Sequence, residues 1–569
     1  MAQRLTVHSA LTDAGVRTMR RYLLSLFGGV AVLAVAAWLI AAFAPYPEVR
    51  LLPIHTLSTV VRIGITLLIS IAWGVSFGIL CATNKTASRF IVPVVDLLQS
   101  LPILGYFPMV IAFLFAWGAF GIELAIIVLL FTSMAWSIFF GVLGAARSIS
   151  PSIIEAGRSF GVVGWPYVRH IVLPAIRPAL ISGGNLAWCD GWFFIIAAEY
   201  IHYQGSVVGP PSGGLGYLLA VAAYQHEDMV LSVALLLYIT FIVVYFNAIS
   251  WQRLIERTGV ETFTPVFKTH LFGPGRSSFA KAAQRLRLEG SHWSRPFSSA
   301  RQRLGKYSRV EKVLASIVGL VTVIIVIYVL AVQLPVGALI QQGFTEPPAN
   351  ELSYLPLYVA LTMGRLTIAY VISLVVAITL GVLAAEHKRL ARILYPVYDV
   401  GQGVPILALF PVMYLGLSGL VGSTYIALEM TCIVILVLDM IWYMFLNIMS
   451  AVKAIPDEIR EVGTLFGLKG WKRIRHIVLP SIMPAIVTGS VLSWGTGWNT
   501  VIFAEYLQTT TGSAYLPGLG SLMDRAGYIY GNTVFLLFLL AIIAAIVLSM
   551  EGLIWRPLMR RHEKHEVVG

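Results

Sequence analysis

The sequence predicts an all-α polytopic membrane protein of two six-span halves, about twelve transmembrane helices in all, and three observations carry that prediction. The 569 residues are 58% hydrophobic and only 12% charged, with a mean hydropathy of +0.82, a composition that water-soluble cores do not reach. Apolar runs long enough to cross about 30 Å of hydrocarbon as helices recur along the chain. One polar stretch is said twice: EAGRSFGVVGWPYVRHIVLP, Glu155 to Pro174, returns as EVGTLFGLKGWKRIRHIVLP, Glu461 to Pro480, with twelve of twenty positions identical and an offset of 306.

Taken in order, the first span is the apolar run Tyr22 to Ala44 behind Arg20 and Arg21. No small-residue cleavage site follows it, so an uncleaved helix is expected. A short outer loop leads to span two, Leu57 to Ala82. Span three, Phe90 to Trp117, holds Pro93, Pro102 and Pro108 and should be kinked or broken near mid-membrane. Such a break is tolerated only where the freed carbonyls face protein or a wet cavity. Span four, Gly121 to Ala145, runs into the polar repeat, span five is Ala175 to Tyr200, and a Gly- and Pro-rich outer segment, His202 to Asp228, precedes span six, Met229 to Trp251. Residues 252–312 read as a polar linker between a first half, 1–251, and a second, 313–569. The second half repeats the plan with spans near Val313 to Gln341, Leu357 to Ala385, Ile393 to Leu420, Ser423 to Ile448, Ser481 to Leu507 and Asn532 to Trp555.

Landmarks align over nearly the whole chain. Arg62/Arg365, Gly78/Gly381, Pro93/Pro396, Asp96/Asp399, Gln99/Gln402 and Pro102/Pro405 share an offset of 303. Trp136/Trp442, Trp188/Trp494, Trp192/Trp498 and Glu199/Glu505 share 306, so three residues enter the second copy before span four. An even number of spans per half makes the repeat parallel, with both polar stretches on one side.

The net charge of +13 could suggest nucleic acid. Its distribution says otherwise: +9 lies in residues 252–312, +3 in residues 1–21 and +2 in residues 556–569, leaving the rest almost neutral. Basic ends and a basic middle face the cytoplasm by the positive-inside rule, where anionic lipid head groups account for them. Both termini are therefore expected inside, and no nucleic-acid partner. Cys81, Cys189 and Cys432 sit far apart in apolar spans and suggest neither a disulfide framework nor a metal site.

Each polar stretch reads as a short helix with Glu at its start, Gly where another backbone comes close, a basic turn, and Leu-Pro opening the next helix. The pattern Glu-Ala-Ala, three residues, Gly, nine residues, Ile-x-Leu-Pro resembles the cytoplasmic loop of permease subunits of binding-protein-dependent ABC importers. Gly157 and Gly463 replace the second Ala, and Val462 replaces the first in the second copy. The resemblance implies a type I importer fold and a coupling helix, Glu155, Ala156, Gly157 and Gly161 in one half and Glu461, Val462, Gly463 and Gly467 in the other, docking on a separate ATPase. It further implies two ATPase subunits, an outer solute-binding protein, periplasmic or lipid-anchored, and a bacterial-type inner membrane. PVVDLLQSLPILGYFP, AAEY and GGLGYLL, with PGLGSLM in the second copy, resemble the branch for nitrate, sulfonates, taurine and bicarbonate.

The chain has no GxxxxGK[ST] loop, nucleophile elbow, zinc pattern or dinucleotide fingerprint. It is read as a transport subunit that is not an enzyme and holds no cofactor, with ATP and magnesium in the partner. Path and gate candidates are polar groups inside the spans. Arg62 and Arg365 either draw an anion toward the axis or snorkel to the surface. Gln99, Ser100 and Gln402, near Asp96 and Asp399, either form a polar gate or satisfy the kink. Asn185 and Asp190 in one half, and Ser493, Thr496, Asn499 and Thr500 in the other, should line the interface or the path. Glu199 and Glu505 either cap and pair structurally or touch a binding protein; Asp439, opposite Ser133, is expected to bond a neighbouring helix; the Trp188/Trp192 and Trp494/Trp498 pairs pack against a neighbour or wall a solute. Rival readings are a fused permease for iron, thiamine or polyamine, an ion-coupled secondary transporter, and a receptor or scaffold.

Overall fold

The computed structural model describes residues 28–247, 349–555 and 557–558 except 204, 205, 469, 510 and 511, and also 251 and 254. The expected seventh span, nearly all of the linker and the start of the first span lie outside the described residues. In the first half, α1 (Gly28–Phe43) is followed by a 3-10 turn, Pro47–Leu51, that runs into α2 (Leu52–Thr83). Then come α3 (Lys85–Ser100), α4 (Ile103–Leu114), α5 (Gly118–Arg147) and α6 (Pro151–Ser159). α7 (Trp165–Ala198) is followed by strands β1 (Ile201–Tyr203) and β2 (Ser206–Val208), α8 (Leu215–Gln225) and α9 (Met229–Phe246).

The second half has the same order: α10 (Ala349–Glu386), α11 (Lys388–Gly403), α12 (Ile406–Val421), α13 (Thr424–Ala454) and α14 (Asp457–Leu465). α15 (Trp471–Ala504), β3 (Tyr506–Thr509), β4 (Gly512–Tyr515), α16 (residues 519–529) and α17 (Thr533–Met550) complete it. Eight described segments are long and apolar enough to cross a membrane, with α1, α8 and α12 as shorter apolar helices.

α2 shows why these helices pack as they do. Its buried face, Thr59, Arg62, Thr66, Ser70, Gly74 and Gly78, is smaller and more polar than its outer face, where Leu57, Val61, Ile65 and Leu68 are exposed. That is the pattern of a helix whose outside is lipid and whose inside must hydrogen-bond. A Cβ on Gly74 would lie 2.7 Å from Ile138 Cγ2 and one on Gly78 2.8 Å from Val142 Cγ1, so the glycines let α5 lie close against α2. α2, α5 and α7 form the centre of one half and α10, α13 and α15 that of the other. The halves meet reciprocally: α4 packs on α15 and α17, and α12 on α7 and α9.

Of the two outcomes expected for span three, kinked or broken, the structure has the break: the span divides at Leu101 and Pro102 into α3 and α4, while Pro93 and Pro108 are accommodated inside them. The same break separates α11 from α12 at Pro405. The outer Gly- and Pro-rich segment, for which the sequence suggests no regular structure, is ordered. It forms an antiparallel hairpin, Ile201 opposite Val208, and then turns back as α8, whose Leu215, Leu218 and Leu219 are almost fully buried. The second half repeats this with Tyr506 opposite Tyr515 and with α16. The three extra residues of the second copy lengthen α12, where the first half has only a 3-10 turn, Phe115–Trp117.

Candidate functional site

The returning segments are fastened by a buried ionic network that occurs once per half. Arg62, 4% exposed, spends all five guanidinium N–H groups. Its Nε and Nη2 donate to Glu123 at 2.7 and 2.8 Å, Nη1 donates to Glu199 at 2.6 Å and to the Gly213 carbonyl at 2.7 Å, and Nη2 also reaches Ser212 Oγ. Glu199 is fully buried. It accepts from Thr59 Oγ1 at 2.8 Å and from the Gly216 N–H at 2.9 Å, while Thr59 accepts from the Leu215 N–H and His55 Nδ1 from the Gly214 N–H.

The twin is Arg365. It donates to Glu429 at 2.8 and 2.9 Å, to Glu505 at 2.8 Å and to the Pro517 carbonyl at 2.9 Å. Thr362 Oγ1 and the Gly520 N–H donate to Glu505 at 2.7 and 2.8 Å. Neither expected placement of the arginines describes them: they neither snorkel nor stand open to an anion, because two carboxylates and a carbonyl occupy them. Glu199 and Glu505 pair structurally and hold the first amides of α8 and α16. Sequence reasoning missed Glu123 and Glu429, and the signal was present: they are intramembrane carboxylates at the 306 offset, just as Thr59 and Thr362 stand at the 303 offset.

The other candidates fall into three groups. Gln99 and Gln402 are exposed at the ends of α3 and α11, Gln99 donating to Asp96 at 2.8 Å, and Ser100 closes α3. On α7, Asn185 and Asp190 are half-buried, and Asn185 Oδ1 has no hydrogen-bond partner among the described residues. On α15, Ser493 is fully buried and donates to the Met440 carbonyl at 2.8 Å; Thr496 donates to the Ser493 carbonyl. Thr500 Oγ1 donates to Asp439 Oδ2 at 2.9 Å, a bond from α15 to α13. Asn499 reaches across the halves to the Ile103 N–H at 2.6 Å. The tryptophan pairs are buried, Trp192 almost completely.

Thr500→Val leaves Asp439 without that donor inside the membrane. We expect a loss of about 1–3 kcal/mol, read by thermal unfolding in detergent, with Thr500→Ser close to the parent.

The polar repeats build two short exposed helices. Each ends in a glycine with positive φ, Gly161 at +70° and Gly467 at +66°. The N–H two residues past the last turn returns to the chain at Gly157 and Gly463, Val162 N to Gly157 O at 2.8 Å and Leu468 N to Gly463 O at 2.9 Å. That closing bond needs the left-handed residue before it, which is why glycine stands there. Gly157 and Gly463 are buried beneath Ile171 and Ile477. A Cβ on Gly157 would lie 2.5 Å from Ile171 Cδ1, and one on Gly463 would run into Ile477 Cδ1, contacts with the far ends of two isoleucine side chains that can move aside, so alanine, which the resemblance expects here, is within reach of both sites. Glu155, Ala156 and Glu461 are exposed, and Val462 lies on α14. Large apolar side chains beside them are bare: Phe160 is 85% exposed, Phe466 78%, Trp165 65% and Trp471 68%.

Among the described residues no group of His, Cys, Asp or Glu could hold a metal ion.

The model of the family described as binding-protein-dependent transport system inner membrane component matches residues 74–258 and again 377–558. Among curated proteins, the chain is 22% identical over 212 residues to a putative aliphatic sulfonates transport permease protein of Bacillus subtilis (strain 168), covering 37% of this chain and 71% of that protein. It is 26% identical over 161 residues to a nitrate import permease protein of Synechococcus elongatus, covering 28% of this chain and 55% of the relative. To the taurine transport system permease protein of Escherichia coli (strain K12) it is 24% identical over 190 residues, covering 33% and 64%. The matched stretches thus span between about half and seven tenths of these relatives.

Proposed function

Because the chain belongs to the family of binding-protein-dependent transport system inner membrane components and carries that domain twice, we propose that it forms the whole membrane pathway of an ATP-driven importer. Its two halves take the place of two permease subunits. The observation that carries this reading is the pair of glycine-closed helices, α6 and α14, each beside bare aromatic side chains and each at the same place in its half. A polar helix ringed by exposed Phe and Trp fits a groove on another protein better than water. In this reading each helix docks on one ATPase subunit, ATP and magnesium belong to that partner, and both helices and both chain ends face the cytoplasm. Closure of the ATPase pair then moves the halves against each other as rigid bodies.

The solute follows from the relatives. Sulfonate, nitrate and taurine permeases are what the chain is similar to, so a small anion or a zwitterion with an acidic group is the proposed cargo, delivered by an outer binding protein. A fused permease for iron, thiamine or polyamine is the reading that a competition panel of cations would favour.

The test is Phe160→Asp with Phe466→Asp. Both side chains are bare, so stability should stay within about 0.5 kcal/mol. Co-purification of the ATPase should fall at least tenfold and ATP-driven taurine or nitrate uptake should vanish in proteoliposomes. Full uptake by the double variant contradicts the docking role of these helices.

A further inference from the structure

Alternating access requires the two halves to separate at one end of the pathway while they close at the other. Any hydrogen bond between halves at the moving surface must then be made in one state and broken in the other. The bond from the Ile103 N–H to Asn499 Oδ1 joins the two halves. Ile103 is the first residue of α4, immediately after the break at Leu101 and Pro102. Its amide is therefore one that its own helix cannot satisfy. Asn499 belongs to α15 in the other half, and its Nδ2 donates to the Gly495 carbonyl of its own helix at 3.3 Å, which turns the oxygen toward α4. The contact is tight all round: a Cβ on Gly105 would lie 3.1 Å from Met523 and 3.3 Å from Ile502, both in the second half.

The repeat supplies the comparison. The break before α12 is the same, Pro405 then Ile406, but the residue at the Asn499 position of α7 is Phe193. A phenyl ring accepts no such bond. One of two equivalent breaks is thus tied across the halves by a carboxamide, while the corresponding position for the other carries a phenylalanine, which has no oxygen to offer.

We propose that Asn499 is a one-sided latch of the pathway, a positioning residue that holds the first and second halves together at the α4 break and must release Ile103 in each transport cycle. The latch rests on the importer reading above. It sets the resting state rather than the solute: weakening it frees the halves without ATPase closure being coupled to cargo.

The experiment measures ATP hydrolysis by the full chain with its co-purified ATPase, reconstituted without binding protein or solute. Asn499→Leu should raise this idle rate roughly three- to tenfold, the equilibrium share of one hydrogen bond, and lower the taurine moved per ATP. Asn499→Asp keeps an acceptor oxygen at the same reach and should stay within about twofold of the parent. A loss of packing alone would lower both rates and show no rescue by Asp. The converse variant, Phe193→Asn, offers a second latch to Ile406 and should slow turnover.

An idle rate unchanged in Asn499→Leu, with the complex intact, overturns the latch. If Asn499→Leu does not fold, Phe193→Asn decides, slower turnover supporting and unchanged turnover overturning it. If no ATPase co-purifies, the importer reading fails, and the latch is read on the chain alone from hydrogen exchange at Ile103: faster exchange in Asn499→Leu but not Asn499→Asp supports it, and equal exchange in all three overturns it.

Discussion

Glu199→Ala is expected to cost about 3–5 kcal/mol and, with it, transport. The carboxylate is fully buried, and its partners are Arg62, Thr59 and the Gly216 amide. Removing it leaves one guanidinium donor, the Thr59 hydroxyl and the Gly216 amide unanswered where water does not reach, and that is the expensive way to break a buried pair. It also frees the Gly216 amide, so α8 loses its tie to the end of α7 and is held only by its bonds to His55, Thr59 and Arg62 of α2. Glu505→Ala should cost as much, because Arg365 and Gly520 repeat the arrangement. Glu123→Ala should cost less: its side chain is 27% exposed, and water can take over part of its role. Replacing both charges, Arg62→Met with Glu199→Leu, should recover part of the loss that the single change causes. Thermal unfolding of the purified chain reads all four. Equal, small effects for Glu199→Ala and Glu123→Ala would show that the network is solvated and not a clamp.

Gly216→Ala and Gly520→Ala are expected to be nearly as damaging, about 3 kcal/mol each. A Cβ on Gly216 would lie 2.5 Å from the Ile196 carbonyl oxygen and 2.9 Å from its Cα, and one on Gly520 2.6 Å from the Ile502 Cα. These obstacles are backbone inside α7 and α15, so no side chain can rotate away. The methyl group must push the returning helix off its seat, and the amide bonds to Glu199 and Glu505 go with it. Gly64→Ala is the matched control, since nothing lies within 4 Å of its added Cβ. A mid-helix glycine with open space beside it, as at the half-buried Gly64, gains up to about 1 kcal/mol on becoming alanine. Unfolding temperatures of the three variants should therefore move in opposite directions. A Gly216→Ala protein as stable as Gly64→Ala would mean that the close approach of α8 to α7 is not rigid.

The duplication made the architecture legible in the sequence. Repeated prolines located the breaks before α4 and α12, and the polar repeat located α6 and α14, because helix breaks and caps are local chemistry. What stayed hidden was set by partners distant in the chain. Arg62 looks the same in sequence whether it faces lipid, a wet path or a carboxylate, and its true neighbours, Glu123 and Glu199, are 61 and 137 residues away. The returning helices were hidden for a different reason: Gly213 to Gly216 read as loop chemistry, although Gly214 and Gly216 mark close approach to Glu199 and Ile196. Asn499 was legible as a polar group that should not face lipid. That it binds α4 rather than a solute follows only from the packing of the halves.

The most direct test of the account is the mass of the complex that a tagged chain brings out of the membrane in mild detergent. The account predicts two ATPase subunits per chain, one for α6 and one for α14, and ATP-dependent uptake of a small anion when that complex is placed in liposomes with its binding protein. A chain that emerges alone and moves taurine or nitrate down an imposed ion gradient would contradict it.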